Sequence, residues 1–190
     1  MTRIVAGSAG GRTLAVPSAG TRPTSERVRE ALFSRLEHLD AVDGARVLDL
    51  FAGSGALGLE AVSRGAAHAV LVDAARGAVE VCRRNARTLG LADRVDVVAD
   101  KVDRYLARVA PVGSPGVEAF DLVLVDPPYD LPDDALATAV AGAARCTAPG
   151  GVVVVERSSR AAAPTWPSPL VGLADRRYGE TRVWFAEHPV

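Results

Sequence analysis

Residues 47–58 read VLDLFAGSGALG, a short apolar run that passes through three glycines into a second apolar segment. The run is predicted to be a buried β-strand that ends near Leu50, and the glycine segment is predicted to be a loop that opens a helix. In a doubly wound sheet such a loop lies at the carboxyl edge of its strand, where ligands bind. Gly53, Gly55 and Gly58 permit positive φ angles and a close approach of backbone to ligand. The stretch therefore predicts a ligand-binding loop in an α/β fold.

Outward from this loop, short β-branched runs alternate with helical stretches rich in Ala, Leu, Arg and Glu. The runs are Arg46–Leu50, Ala69–Val72, Val95–Val98, Phe120–Val125 and Val152–Val155. This alternation implies right-handed crossovers and a parallel, doubly wound sheet. Residues 175–185 are predicted to form a final antiparallel hairpin with a turn at residues 178–180. We therefore expect a Rossmann-like, mostly parallel seven-stranded α/β sheet over residues 46–190.

The first 45 residues differ from this pattern and are predicted to form a small extension. Residues 4–6 and 12–16, with a glycine-rich turn between them, suggest a β-hairpin. A helix is expected from about Ser25 to Leu39, with Thr24 as its N-cap. Its apolar face follows helical spacing, so Arg27 and Arg29 are expected to lie off that face. We expect this face to pack on the sheet domain.

Composition and charge exclude several classes of protein. The 190 residues are 48% apolar and 24% charged, and no stretch approaches a membrane span. No signal peptide is evident, the two cysteines are expected to be buried thiols, and the three scattered histidines predict no metal site. These features favour a cytoplasmic protein. The net charge is −1, but residues 1–35 carry six arginines against two glutamates, and residues 157–182 carry five arginines against two acids. Basic ends of this kind suit a phosphate-binding surface or a solvated one.

Three acids near the glycine loop bear on the identity of the ligand. Asp49, at the end of the first strand, could bind the ammonium of S-adenosylmethionine, whereas a dinucleotide pyrophosphate would be repelled there. Asp73 closes the second strand, where a carboxylate can accept hydrogen bonds from both ribose hydroxyls of either cofactor. Asp100 follows the third strand and could take an adenine amino group, or it could cap a helix. S-adenosylmethionine is therefore the preferred cofactor.

The tetrapeptide DPPY, residues 126–129, follows the fourth strand. Pro127 and Pro128 fix φ and remove backbone donors, which leaves rigid carbonyl acceptors beside the Asp126 carboxylate. Such a pair of acceptors suits an exocyclic amino group with two N–H donors, and Tyr129 can stack on a flat ring. Hydrogen bonds from both amine protons would localise the nitrogen lone pair for in-line attack on a sulfonium methyl. The motif predicts methyl transfer to a base amine, which must be flipped out or unpaired.

The combination of motifs resembles the RsmD family, bacterial 16S ribosomal RNA guanine-N2 methyltransferases, over nearly the whole chain. The residues that carry the resemblance are Arg3–Gly7, Gly11-Arg12, Leu14, Pro17, Arg22–Thr24, Arg27–Phe33, LDLFAGSGALGLEA (residues 48–61) and DPPY (residues 126–129). The glycine loop and DPPY are shared with many amino-methyltransferases. The Arg-Pro-Thr segment running into the first helix is the specific part.

The resemblance implies a class I S-adenosylmethionine-dependent methyltransferase fold and a site. The cofactor would be held by Asp49, Phe51, Ala52, Gly53, Gly55, Asp73, Ala74 and Asp100, and the guanine amine by Asp126, Pro127, Pro128 and Tyr129. Contact with RNA is expected from Arg3, Arg12, Arg22, Thr24, Arg27 and Arg29, and residues 1–45 would form this RNA-contact extension. The implied substrate is guanine 966 of 16S rRNA, within an assembled or assembling 30S subunit, and the implied enzyme is a monomer that needs no metal or membrane.

Other functions remain open at this point. A DNA adenine-N6 methyltransferase would use the same motif, although a large target-recognition domain is then expected. A protein-glutamine methyltransferase is expected to carry Asn in place of Asp126. A nicotinamide oxidoreductase depends on the GxGxxG match alone, which is a weak signal and leaves DPPY unexplained. The non-enzymatic alternative is an inactive RNA-binding module with the same fold.

Overall fold

The computed structural model describes residues 2–17, 25–110 and 119–190, and its elements follow the predicted alternation of strands and helices. In chain order they are β1 (Thr2–Arg3), β2 (Thr13–Leu14), α1 (Glu26–His38), β3 (Arg46–Leu50), α2 (Ala56–Ser63), β4 (His68–Asp73), α3 (Arg76–Leu89), a 3₁₀ turn (Ala92–Arg94), β5 (Val95–Ala99), α4 (Val102–Val109), β6 (Phe120–Val125), α5 (Asp133–Cys146), β7 (Thr147–Ser158), β8 (Val171–Tyr178) and β9 (Thr181–Glu187).

Seven of the described strands form one sheet in the order β5-β4-β3-β6-β7-β9-β8. The pairs β3–β4, β4–β5, β3–β6 and β6–β7 are parallel, whereas β9 runs antiparallel to both β7 and β8. The predicted fold and its terminal hairpin are confirmed. The chain leaves β3 toward β4 on one side and returns to β6 on the other, so the strand order reverses at β3. Ligands bind at such a switch point, outside the carboxyl ends of the strands.

Side chains of the sheet alternate between two cores. Leu48 and Leu50 face the core that includes α4 and α5, whereas Val47 faces the core of α1, α2 and α3. Asp49 shares the Val47 side, because successive side chains of a strand point to opposite faces. This places its carboxylate beneath α2 and the glycine loop.

The N-terminal hairpin is shorter than predicted and shifted along the chain. Its ladder pairs Thr2 with Leu14 and Arg3 with Thr13, so the predicted strand over residues 4–6 is wrong. Ile4 still forms backbone hydrogen bonds with Arg12 and Gly11, but Val5 and Ala6 have no partner in the ladder. The amides of these two residues donate instead to the Glu60 carboxylate of α2, at 2.8 and 3.0 Å. A side-chain acceptor on another element has replaced the ladder partner.

Helix α1 corrects two further expectations. Ser25 is its N-cap, with Oγ accepting from the Val28 amide at 3.3 Å, whereas Thr24 lies outside the described residues. Arg29 was expected off the apolar face, but the side chain is fully buried with Leu32 and Leu36. A charged residue on a buried face requires a partner, and Arg29 has one in Glu60.

Both cysteines are buried thiols outside any disulfide, as predicted. Among the described residues no helix is long and apolar enough to span a membrane. The same part of the chain contains no cluster of three or more His, Cys, Asp or Glu arranged to hold a metal ion.

Candidate active site

A cavity of about 950 Å³ opens at the carboxyl edge of the sheet, where β3, β4 and β6 end. Six of the twelve predicted cofactor and base residues line it: Phe51, Gly53, Asp73, Ala74, Asp126 and Pro128. Two motifs about seventy residues apart in the sequence therefore meet in one cavity of a size typical of ligand sites.

The glycine loop turns sharply between β3 and α2. Phe51 and Gly53 adopt positive φ angles of 64° and 58°, and Gly55 follows at 78°. For a residue with a side chain such as Phe51, this conformation carries strain of about 1–3 kcal/mol and is typical of functional sites. The Ala52 amide donates to the Val72 carbonyl at 3.0 Å, which fixes the loop to β4. Ala52 and Gly55 belong to the loop but do not line the cavity.

Asp73 is held at the cavity by two backbone amides. Its Oδ2 accepts from the Gly53 amide at 2.8 Å, and its Oδ1 accepts from the Ala75 amide, also at 2.8 Å. These bonds tie the end of β4 to the glycine loop and fix the carboxylate plane. The second lone pair of each oxygen can accept a hydroxyl donor, so the geometry suits a ribose diol.

Asp49 lies behind the loop rather than on the cavity wall. The side chain is 1% exposed, and its Oδ2 accepts from the Gly58 amide near the N-terminus of α2 at 2.9 Å. Burial raises the pKa of Asp49 to about 8, with Asp126 and Asp73 adding repulsion, while the bond from Gly58 opposes the shift. Asp49 is thus a mostly neutral acid at pH 7 that a nearby cation would ionise.

Glycine is required at Gly58 by close packing. A Cβ there would lie 2.2 Å from Cδ2 of Leu71 and 3.2 Å from Oδ2 of Asp49. At Gly55 the nearest atoms would be 3.0 Å away, and the φ angle is positive. The GxGxxG spacing therefore serves the packing of α2 onto the sheet and the approach to Asp49.

Asp100 is not brought to the cavity. Its carboxylate accepts from the Lys101 amide at 2.9 Å and lies 3.6 Å from both Arg104 and Arg108 of α4. The following residues Lys101 and Val102 line the cavity instead. The sequence therefore predicted the correct strand end, but the residues that line the cavity there are Lys101 and Val102 and not Asp100.

The DPPY segment leaves β6 beside the glycine loop. The Asp126 amide approaches the Leu50 carbonyl at 3.4 Å, and the Pro128 carbonyl accepts from the Leu131 amide at 3.0 Å. Pro127 is buried, whereas the Tyr129 side chain is 50% exposed. Asp126 and Pro128 therefore line the cavity, whereas Pro127 and Tyr129 do not. The exposed Tyr129 ring directly follows Pro128, and a flat partner could stack on it.

Several cavity residues were missed by the sequence reasoning. Asp103 of α4 and Asp134 and Thr138 of α5 line the cavity, and so does Pro17 from the N-terminal extension. For the residues of α4 and α5, the sequence offered only their position as a clue: these helices follow strands whose carboxyl ends form the edge at which the cavity opens.

The residues predicted to contact RNA lie in different environments. Arg3 pairs with Glu26 at 2.9 Å, and Arg12 donates to the carbonyls of Thr88 and Leu89 at the C-terminus of α3. Arg27 is exposed at the start of α1. Arg22 and Thr24 lie outside the described residues.

Arg29 corrects the expected RNA surface. The side chain is fully buried, donates to the Arg3 carbonyl and lies 3.9 Å from Glu60, so it cannot reach a phosphate. Arg29 lies only two residues from the exposed Arg27, but it precedes Leu32 and Leu36 by three and seven residues, a spacing that places it on their buried face.

The comparison with known proteins agrees with this geometry. A family model described as conserved hypothetical protein 95 matches residues 2–187. The chain belongs to this family, the RsmD family. The match includes the N-terminal hairpin, the glycine loop, DPPY and the terminal hairpin.

Curated relatives and solved structures of the RsmD family extend this result. Ribosomal RNA small subunit methyltransferase D of Escherichia coli (strain K12) is 44% identical over 128 residues, which cover 67% of this chain and 60% of that protein. YlbH of Bacillus subtilis (strain 168) is 33% identical over 182 residues, 95% of this chain and 96% of that protein. The solved structure of YhhF from Escherichia coli has a TM-score of 0.83 at 32% identity, covering 100% of this chain and 98% of that one. The fold is the Rossmann-like class I methyltransferase fold.

Proposed function

We propose that this protein transfers a methyl group from S-adenosylmethionine to the exocyclic N2 of a guanine in small-subunit ribosomal RNA. The observation that carries the proposal is that Asp126 and Asp73 line one cavity, on either side of the loop at Phe51 and Gly53. The first is suited to a base amine and the second to a ribose. The similarity to small subunit methyltransferase D supports ribosomal RNA as the substrate class.

The residues present fit the proposed cofactor. Asp73 has both carboxylate oxygens oriented by backbone amides, and it lines the same cavity as Phe51 and Gly53 of the glycine loop. Asp49 is the buried acid nearest this loop and could neutralise an ammonium, directly or through a water. When bound, the cofactor supplies an electrophilic methyl group, and the protein supplies position and charge.

The chemistry assigned to this chain is orientation of a poor nucleophile. The amine of guanine is conjugated with its ring, so its lone pair is delocalised. Asp126 and the carbonyl of Pro127 would accept its two hydrogens, which localises the lone pair and sets its direction. A fixed carboxylate also stabilises the positive charge that develops on the nitrogen. The exposed ring of Tyr129, next to Pro128 in the sequence, would stack on the base.

The proposed RNA surface is smaller than the sequence suggested. Arg27 is exposed in the first turn of α1, and Arg3 is exposed although paired with Glu26. Arg22 and Thr24 remain candidates. We propose that these residues contact the phosphate backbone of 16S rRNA, presented by an assembled or assembling 30S subunit in the cytoplasm, and that the enzyme acts as a monomer. Guanine 966 is the proposed target.

The test is methyl transfer from labelled S-adenosylmethionine to three acceptors: 30S subunits lacking the modification, naked 16S rRNA and duplex DNA. Asp126→Asn is compared with Asp130→Asn, which changes an exposed acid in the same segment. We expect label in ribosomal RNA that digests to N2-methylguanosine, lowered about 100-fold or more in Asp126→Asn and retained in Asp130→Asn.

Each other outcome rejects a specific part of the proposal. Label in DNA as N6-methyladenine assigns the alternative activity. Cofactor binding without transfer to any of the three acceptors rejects nucleic acid as the substrate. Absence of cofactor binding rejects methyl transfer and leaves an RNA-binding module. Mapping the labelled nucleotide tests the choice of guanine 966.

A further inference from the structure

A buried arginine lies one strand away from the DPPY segment. Arg157 follows Val155 of β7 by two residues, and Val155 pairs with Val125 of β6, which directly precedes Asp126. Because side chains alternate along a strand, Arg157 shares the Val155 face, toward the core that contains α5. The residue is only 7% exposed.

The contacts of Arg157 are directed at the segment that joins β6 to α5. Its Nη2 donates to the Leu131 carbonyl at 3.2 Å and lies 3.7 Å from Oδ1 of Asp133, the first residue of α5. Within the described residues, its buried Nε and Nη1 have no hydrogen-bond partner. A guanidinium that is buried with only part of its donors satisfied is costly for stability, so a gain in stability does not account for Arg157 at this position.

The segment that Arg157 holds begins at the acid of the site. Asp126, Pro128 and Leu131 all line the cavity, and the Leu131 amide donates back to the Pro128 carbonyl at 3.0 Å. Two adjacent prolines make the near end of this turn rigid. A contact that fixes Leu131 at the far end therefore constrains the position of Asp126 as well.

We propose that Arg157 is a positioning residue for methyl transfer: through the Leu131 carbonyl it holds residues 126–132 in the arrangement that receives the acceptor amine. The inference rests on the proposed function for its effect on turnover, but the coupling of Arg157 to the segment is independent of the acceptor. In-line attack is sensitive to displacement, since a shift of about 1 Å can lower the rate on the order of 100-fold.

The test compares three variants of the full chain. Arg157→Met removes the donor while keeping an apolar stem, and Arg157→Lys keeps one charged donor. The matched control is Arg145→Met, because Arg145 of α5 also binds carbonyls, donating to Ala110 at 2.9 Å and Ala141 at 3.0 Å, at the opposite end of that helix. Three quantities are measured: hydrogen exchange at the Leu131 amide, the affinity for S-adenosylhomocysteine, and kcat and KM with unmodified 30S subunits.

We expect Arg157→Met to speed exchange at Leu131 at least about tenfold and to lower kcat about 10- to 100-fold, with cofactor affinity changed less than about threefold. Arg157→Lys should restore most of the protection and of kcat, and Arg145→Met should match the wild type in both. Leu131 exchange in Arg157→Met equal to that in Arg145→Met overturns the inference, whatever the acceptor is. Faster exchange with kcat unchanged likewise overturns the positioning role. If wild-type protein transfers no methyl group to ribosomal RNA, the proposed function fails, and the exchange comparison still decides whether Arg157 holds the segment.

Discussion

Arg29 and Glu60 form an ion pair inside the protein, with 3.9 Å between Nε and Oε2 and both side chains fully buried. The pair joins α1 to α2, the helix that follows the glycine loop. Glu60 also accepts from the amides of Val5 and Ala6, and Arg64 donates to it at 2.8 Å. Burial lowers the pKa of Arg29, and the nearby Glu60 raises it again. One carboxylate of α2 therefore attaches both the N-terminal hairpin and the first helix to the sheet domain.

Removal of this carboxylate is expected to destabilise the protein strongly. In Glu60→Ala, Arg29 remains buried without its partner, so we expect the free energy of unfolding to fall by about 3–5 kcal/mol. Urea denaturation followed by circular dichroism measures it. The control is Glu80→Ala, which breaks an exposed pair with Arg76 on α3 and should cost no more than about 0.5 kcal/mol. Equal losses in the two variants would show that burial of Glu60 carries no special energetic role.

The attachment of the hairpin also depends on glycine at one position. Gly7 and Gly11 have nearly equal φ angles of 81° and 79°, but a Cβ on Gly7 would lie 1.9 Å from the Ser63 carbonyl oxygen, whereas Gly11 has open space. Gly11→Ala should therefore cost about 1 kcal/mol from backbone strain alone, and Gly7→Ala clearly more. Thermal unfolding of both variants checks the difference. If the two melting temperatures fall together, the close approach of Gly7 to α2 is not a constraint.

The buried acid of the site predicts a pH dependence of stability. The pKa of Asp49 is about 8 in the folded chain against 3.8 as its ordinary value, so between these values the native state holds a proton that the unfolded state has lost. Stability from this group is therefore full below pH 4 and falls as pH rises toward 8, by at most about 1.4 kcal/mol per pH unit. Asp49→Asn removes the dependence. Denaturation of both proteins from pH 5 to 9 should show the free energy of unfolding of the wild type falling relative to that of Asp49→Asn as pH rises. If the difference between the two free energies stays constant with pH, the raised pKa of Asp49 is contradicted.

Cofactor binding should release a proton from the same group. A cationic ammonium near Asp49 favours the carboxylate and lowers its pKa. At pH 7 we expect S-adenosylhomocysteine binding to release close to one proton, measured by calorimetry in buffers of different ionisation enthalpy. Asp49→Asn should bind more weakly and release none. Proton release that persists in Asp49→Asn would assign it to another residue.

Substitution of Tyr129 is expected to weaken binding of the RNA substrate without destabilising the fold. The ring is half exposed and lies outside the residues that line the cavity, so Tyr129→Ala should leave the melting temperature and cofactor affinity unchanged. Loss of a stacked base costs about 1–3 kcal/mol, which corresponds to a rise in KM for the RNA substrate of about 5- to 150-fold. Tyr129→Phe keeps the ring and should keep KM. A matching rise in Tyr129→Phe would mean that the hydroxyl, and not the ring, makes the contact.

The sequence by itself determined the fold and six of the residues that line the cavity. The strand, glycine loop and helix at residues 47–58 and the rigid DPPY at residues 126–129 are local signals, because backbone conformation there is set by glycine and proline. The parallel topology then brings the ends of β3, β4 and β6 to one edge. Asp73, Phe51 and Asp126 were predictable for that reason, and they line the cavity.

Only the tertiary structure decided which polar side chains face the site and which hold the fold together. Arg29 and the exposed Arg27 lie on one helix and look alike in sequence, yet Arg29 is buried against Glu60. Asp100 is turned toward Arg104 and Arg108, and Arg157 reaches the Leu131 carbonyl. The Arg29–Glu60 and Arg157–Leu131 contacts join elements that only packing brings together, whereas the Asp100–Arg104 pair spans one helical turn. The local sequence pattern determines whether a segment forms a strand or a helix. The partner of a buried charge depends instead on which element the fold places opposite it.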